Sequence, residues 1–133
     1  MAKTILIADD EPGVVKILGM WLEANGHSVI GVYDGTQVTE LARREKPDLI
    51  ILDIKMPGAD GYSIFKSLKT SANTMSIPIV FYSGLAPELV QEKIARLGAG
   101  TFISKSDDPA EILSRITEIL DQSQIQPVEQ TKQ

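Results

Sequence analysis

The sequence predicts an α/β domain in which one five-stranded parallel sheet carries helices on both faces. Short apolar runs rich in Ile, Leu and Val alternate with helical patterns along the chain, as consecutive βα units require. The runs are continuous rather than alternating in polarity, which is how strands covered on both faces read. Carboxylates follow two of these runs directly: Asp9 and Asp10 after Ile5 to Ala8, and Asp53 after Leu49 to Leu52. In open parallel sheets the carboxyl edge is where ligand sites form.

The first run is followed by Pro12, then by Val14, Val15, Leu18, Trp21 and Leu22 at three- and four-residue spacing. This predicts a helix to about Asn25, with Asp10 or Glu11 as its cap, Pro12 in its first turn and Asn25-Gly26 as its stop. Trp21 belongs to its core face, and His27 falls in the turn that follows. Ser28 to Val32 is the second strand, and Asp34-Gly35 opens a helix to about Lys46. Pro47-Asp48 leads into the third strand, and a helix from about Tyr62 to Thr70 follows the loop Met56 to Gly61. Ile77 to Tyr82 is the fourth strand, with Pro78 near its start, where proline is tolerated. Pro87 to Leu97 is the fourth helix, ended by Gly98. Thr101 to Ile103 is a short fifth strand, and Pro109 to Leu120 is the last helix. The domain is expected to span residues 1–121, with 122–133 as a polar, Gln-rich tail or truncated linker.

Composition narrows the function classes. The 133 residues suffice for one domain with a substantial core. A formal net charge of −5 argues against direct nucleic-acid binding through phosphate contacts. With no cysteine there is no disulfide or thiolate metal site, which fits a reducing cytoplasm, the expected location. No stretch approaches the roughly 18 apolar residues of a membrane span. Met1-Ala2-Lys3 runs straight into a strand, so no signal peptide is expected.

Four strands carry polar residues at or just past their carboxyl ends: Asp9 and Asp10, Asp53, Ser83, and Lys105. Taken singly, Ser83 reads as a helix cap, Lys105 as a solvated lysine and Asp53 as a loop residue. On one sheet edge they form a coherent set. Clustered carboxylates raise one another's pKa unless a cation neutralises them, and carboxylate oxygens suit Mg²⁺. A hydroxyl and an ammonium suit the remaining oxygens of a phosphoryl group, and a carboxylate beside the metal can be the nucleophile.

The segments Ile7 to Glu11, Asp53 to Gly61, Tyr82-Ser83-Gly84 and Ser104-Lys105 resemble the response-regulator receiver domain of two-component signalling, of CheY-like size. The resemblance covers about residues 3 to 121. It implies the flavodoxin-like strand order 2-1-3-4-5 and the following roles. Asp53 resembles the phosphoacceptor. Asp10, with Asp9 through water, resembles the Mg²⁺ carboxylates, joined by Asp53 and the Lys55 backbone carbonyl; Mn²⁺ is an acceptable substitute. Ser83 resembles the hydroxyl residue that moves toward the phosphoryl group. Lys105 resembles the lysine that pairs with Asp53 and then with its phosphate. Phe102 stands where the family has an aromatic switch, expected to rotate inward as Ser83 moves. The implied donor is a sensor histidine kinase or histidine phosphotransfer protein. The implied output is an effector contact or self-dimer on the face of the fourth helix, fifth strand and last helix. Such a domain catalyses only its own phosphorylation and dephosphorylation and is not a turnover enzyme.

Ser106 departs from the family, which usually has proline there, often after a cis bond; a trans bond is expected, since cis before a non-proline costs about 3–4 kcal/mol. It alone motivates reading the chain as a degenerate, constitutive docking receiver. An aspartyl-phosphate phosphatase of the haloacid-dehalogenase kind is the competing enzyme. That class has a second acidic residue two positions past its nucleophile, where this chain has Lys55. A flavodoxin-like cofactor binder needs a Gly- or hydroxyl-rich first loop, whereas Asp9 to Gly13 is acidic.

Overall fold

The structure is a computed structural model that describes residues 2–98 and 101–130, with side chains to residue 122. Its elements are β1 Thr4–Ala8, α1 Pro12–Ala24, β2 Ser28–Val32, a 3-10 turn Gly35–Gln37, α2 Val38–Glu45, β3 Leu49–Leu52, α3 Gly61–Lys69, β4 Ile79–Ser83, α4 Pro87–Arg96, β5 Phe102–Ser104 and α5 Pro109–Gln130. All strand pairs are parallel, in the order β2-β1-β3-β4-β5, so the expected flavodoxin-like sheet is present.

Alternation along each strand sorts the core into two compartments. Leu6, Ala8, Ile50, Leu52, Phe81 and Phe102 face α2, α3 and α4, meeting Val38, Ala42, Ile64, Phe65, Leu68, Val90 and Ile94. Phe81 anchors this side, with the rings of Phe65 and Tyr62 centred 5.5 and 5.7 Å away. Ile5, Ile7, Leu49, Ile51, Val80, Tyr82 and Ile103 face α1 and α5, meeting Val15, Leu18, Leu22, Ile112, Ile116 and Leu120. Trp21 packs at the margin of this second side, as its spacing predicts.

Several boundaries differ from the sequence reading, each for a local reason. The second helix opens as the 3-10 turn, where Asp34 accepts bonds from the Thr36 amide and hydroxyl, both at 2.8 Å. Strand β4 begins at Ile79, because Pro78 has no N–H for the ladder and contributes only its carbonyl, to Ile50. Strand β5 lies one residue later than expected and ends at Ser104. Neither Asp10 nor Glu11 caps α1 through its side chain; Glu11 occupies the cap position, and its N–H donates to Asp9 Oδ1 at 3.0 Å instead. Helix α5 continues to Gln130, past its expected end at Leu120, and the stretch from Asp121 to Gln126 holds neither glycine nor proline to stop it. Residues 131–133 of the expected tail lie outside those described. The trans bond expected between Lys105 and Ser106 is present; among the described residues no peptide bond is cis. His27 is half-buried, its Nδ1 accepting the Lys3 N–H at 3.2 Å.

Candidate functional site

The site follows from where the core strands run out. Asp9, Asp53 and Lys105 each stand two residues past an isoleucine of the α1/α5 compartment, namely Ile7, Ile51 and Ile103. Strand alternation therefore carries all three toward the same side of the sheet edge. Ser83 stands two residues past Phe81, on the α4 side. Backbone bonds hold these ends in register: Asp53 N–H to Ala8 O and Lys105 N–H to Ser83 O are both 2.9 Å. Asp53, Ser83 and Lys105 thus line one open cleft of about 260 Å³ together with Asp10, Glu11, Lys55 and Leu85, and Asp9 lies buried beneath it against Lys105.

Burial divides the acids. Asp9 is 1% exposed and Asp53 6%, whereas Asp10 is exposed at the mouth. One carboxylate oxygen from each lies within 4.8 Å of the other two. Asp53 Oδ1 accepts the Ile54 N–H at 2.8 Å. Burial, then the charge of Asp9, push the Asp53 carboxyl up to about 6, against the opposing pull of Lys105.

Lys105 rests closer to Asp9 than to its expected partner. Its ammonium is 2.8 Å from Asp9 Oδ2, 3.5 Å from Asp53 Oδ2 and 3.4 Å from Glu11 Oε1. Burial draws this ammonium down, but the short contact with Asp9 and the charges of Asp53, Asp9 and Glu11 outweigh it and hold it above the usual lysine range. The approach to Asp9 Oδ2 is off line, so that buried oxygen has an ion-pair partner but no aligned donor. Three converging carboxylates, two of them buried and one with a buried oxygen met only by the Lys105 ammonium, are the donor set a hard divalent cation satisfies.

Ser83 is 2% exposed, and its Oγ accepts the Leu85 N–H at 3.0 Å, which leaves the hydroxyl proton free of that bond. Phe102 is buried, 7% exposed, in the compartment of α2, α3 and α4. Lys55 lies in a loop pinned at two points, by Gly61 N–H to Ile54 O at 2.7 Å and by Gly35 N–H to Pro57 O at 3.1 Å. A Cβ on Gly61 would run into the Asp53 carbonyl, so only glycine lets α3 start this close to the acid.

Sequence reasoning missed Glu11 as a site residue, having placed it as a helix cap. Its position directly after Asp9-Asp10 at the sheet edge was the available signal. Among the described residues no helix is long and apolar enough to cross a membrane.

Comparison with known proteins agrees with this fold. The family described as response regulator receiver domain matches residues 5–117. The chain is 41% identical to the response regulator GtcR of Aneurinibacillus migulanus over 87% of its own length, and spans about half (47%) of that relative. It is 34% identical to the protein PilH of Pseudomonas aeruginosa, over 87% of this chain and 96% of PilH. The crystal structure of the BeF3-activated N-terminal receiver domain of Klebsiella pneumoniae RstA is 30% identical, with a TM-score of 0.82 over 90% of this chain and 99% of that one.

Proposed function

The chain belongs to the response regulator receiver domain family, and on that premise we propose that Asp53 is its phosphoacceptor. Receiver domains of two-component response regulators interact with histidine kinases and effectors and are not turnover enzymes in the usual sense. One observation carries the finer reading: a buried aspartate at a strand end, flanked within 4.8 Å by two other carboxylates and within 3.5 Å by a lysine.

In the proposed reaction an Asp53 oxygen attacks the phosphorus of a phosphohistidine on a sensor kinase or phosphotransfer protein. A P–O bond forms, the P–N bond breaks, and its electron pair leaves on the imidazole. Asp10, Asp53 and the Lys55 carbonyl would hold Mg²⁺, with Asp9 through water, and Mn²⁺ would serve in its place. When bound, the cation supplies positive charge against the phosphoryl oxygens.

The chain's own groups do the rest. A phosphoryl group adds about 1.5–2 negative charges, enough to draw the Lys105 ammonium from Asp9 toward the acceptor. Ser83 gives up its role as acceptor for Leu85 and donates its hydroxyl proton to a phosphoryl oxygen. That movement reshapes the β4–α4 loop and with it the α4–β5–α5 surface, where an effector or a second copy would bind. Phe102, buried beside this surface, is the aromatic residue whose ring would turn further inward as Ser83 moves.

The test is intact-mass analysis after incubation with acetyl phosphate and Mg²⁺, with size measured alongside. Wild type gains one phosphoryl group and Asp53→Ala gains none. Equal uptake by the two proteins, or none by wild type, overturns the assignment.

A further inference from the structure

We propose that the side chains of Ser104, Ser106 and Asp107 form a clasp that positions the Lys105 ammonium in the acidic cleft. The inference rests on the reading of Lys105 given above and concerns residues that play no other part in it.

Four bonds close the turn. Ser104 donates its N–H to Asp107 Oδ2 at 3.3 Å and accepts the Asp107 N–H on its carbonyl at 3.1 Å. Ser104 Oγ accepts the Ser106 N–H at 3.2 Å and shares a hydroxyl-to-hydroxyl bond of 2.8 Å with Ser106 Oγ. Lys105 is the residue the clasp straddles. Its own N–H is fixed on the other side by Ser83 O at 2.9 Å, so both backbone neighbours of the lysine are held.

The chemistry explains why so many bonds gather here. Strand β5 is an edge strand of three residues, with only β4 beside it to fix its end. Lys105 carries a long flexible stem, yet its ammonium must meet two acids 2.8 and 3.5 Å away. Orienting such a group depends on where its Cα and first torsion are held. At position 106 this chain has no ring to restrict the backbone, and a serine hydroxyl bonded to its neighbour does that work instead. Ser104 is 7% exposed, and without the Ser106 hydroxyl its Oγ would keep only the Ser106 N–H and lose its side-chain partner.

The experiment compares phosphoryl uptake from acetyl phosphate with Mg²⁺ in wild type, Ser104→Ala, Ser106→Ala, Ser106→Thr and Lys105→Ala. Saturating rate and half-saturating donor concentration are measured separately. The clasp predicts that each serine-to-alanine change lowers the saturating rate on the order of tenfold, with half-saturation unmoved. Ser106→Thr, which keeps the hydroxyl, restores the rate. A second readout needs no donor or metal: in ¹⁵N-labelled protein the Lys105 ammonium resonance shifts in the alanine variants and is wild-type-like in Ser106→Thr. Alanine variants that keep the wild-type rate and resonance, while Lys105→Ala loses uptake, overturn the clasp and leave the phosphoacceptor reading intact. Unchanged uptake in Lys105→Ala overturns the role given to Lys105, and the clasp with it.

Discussion

Removing the charge of Asp53 should stabilise the metal-free protein, and the effect should appear only above acid pH. The perturbation is Asp53→Asn, which keeps an oxygen to accept the Ile54 N–H that Oδ1 now accepts at 2.8 Å. Lys105 loses the partner at 3.5 Å but retains Asp9 at 2.8 Å. The native carboxyl is raised to about 6 from 3.8, first by burial and then by Asp9. Between those values the folded protein holds a proton the unfolded chain has released, so stability is lost as pH rises through the folded pKa. At 1.36 kcal/mol per pH unit the full rise amounts to about 3 kcal/mol. Because the cleft opens to water, screening reduces the expected gain to roughly 1–2 kcal/mol. For a chain of this size that is about 3–4 °C in Tm per kcal/mol. Urea melts in EDTA across pH 4 to 8 measure it. The asparagine variant should match wild type near pH 4, pull ahead through pH 5 and 6, and hold a constant lead above about pH 7. A variant no more stable than wild type at pH 7.5, or one with the same lead at pH 4, refutes the reasoning.

Three further outcomes follow from the same geometry. Mg²⁺ at a hundred times its Kd should raise wild-type stability by about 2.7 kcal/mol and leave Asp10→Asn unmoved in a titrated melt; equal stabilisation of both places the cation elsewhere. Lys69 reaches across to Met75 O and Ile77 O at 3.1 and 3.0 Å, in a setting where burial draws its ammonium down. Lys69→Ala should cost about 1–3 kcal/mol and speed hydrogen exchange in residues 74–78 before the sheet; uniform exchange would show that the lysine does not hold this segment. Gly61→Ala, whose methyl meets the Asp53 carbonyl, should destabilise by about 1–3 kcal/mol and weaken Mg²⁺ binding, and unchanged melting would mean the loop yields freely.

The acidic site was readable in the sequence because its residues lie at fixed steps from buried strands. Once Ile7, Ile51 and Ile103 are placed in the core, alternation carries Asp9, Asp53 and Lys105 to one side without further information. What the sequence withheld depends on contacts between segments far apart in the chain. Nothing near Lys105 says that its ammonium rests nearer Asp9 than Asp53, because the choice turns on distances of 2.8 and 3.5 Å set by two other strands. Glu11 was hidden by its neighbours: an acid before Pro12 reads as a helix cap, and only its nearness to Lys105 at 3.4 Å shows another partner. Helix α5 ran past its expected end because polarity, taken as the sign of a tail, does not by itself stop a helix.

The division of the core by the sheet has a consequence for how such a chain diversifies. Among the described residues, no buried side chain of the α1/α5 compartment belongs also to the compartment of α2, α3 and α4. The two hydrophobic interiors share a backbone but not a packing problem, and substitutions in separate, non-touching clusters are close to additive. One surface can therefore be rewritten, residue by residue, to suit a new companion while the opposite surface keeps its shape. The chemistry stays in place through both kinds of change, because it hangs from strand ends that belong to neither interior alone.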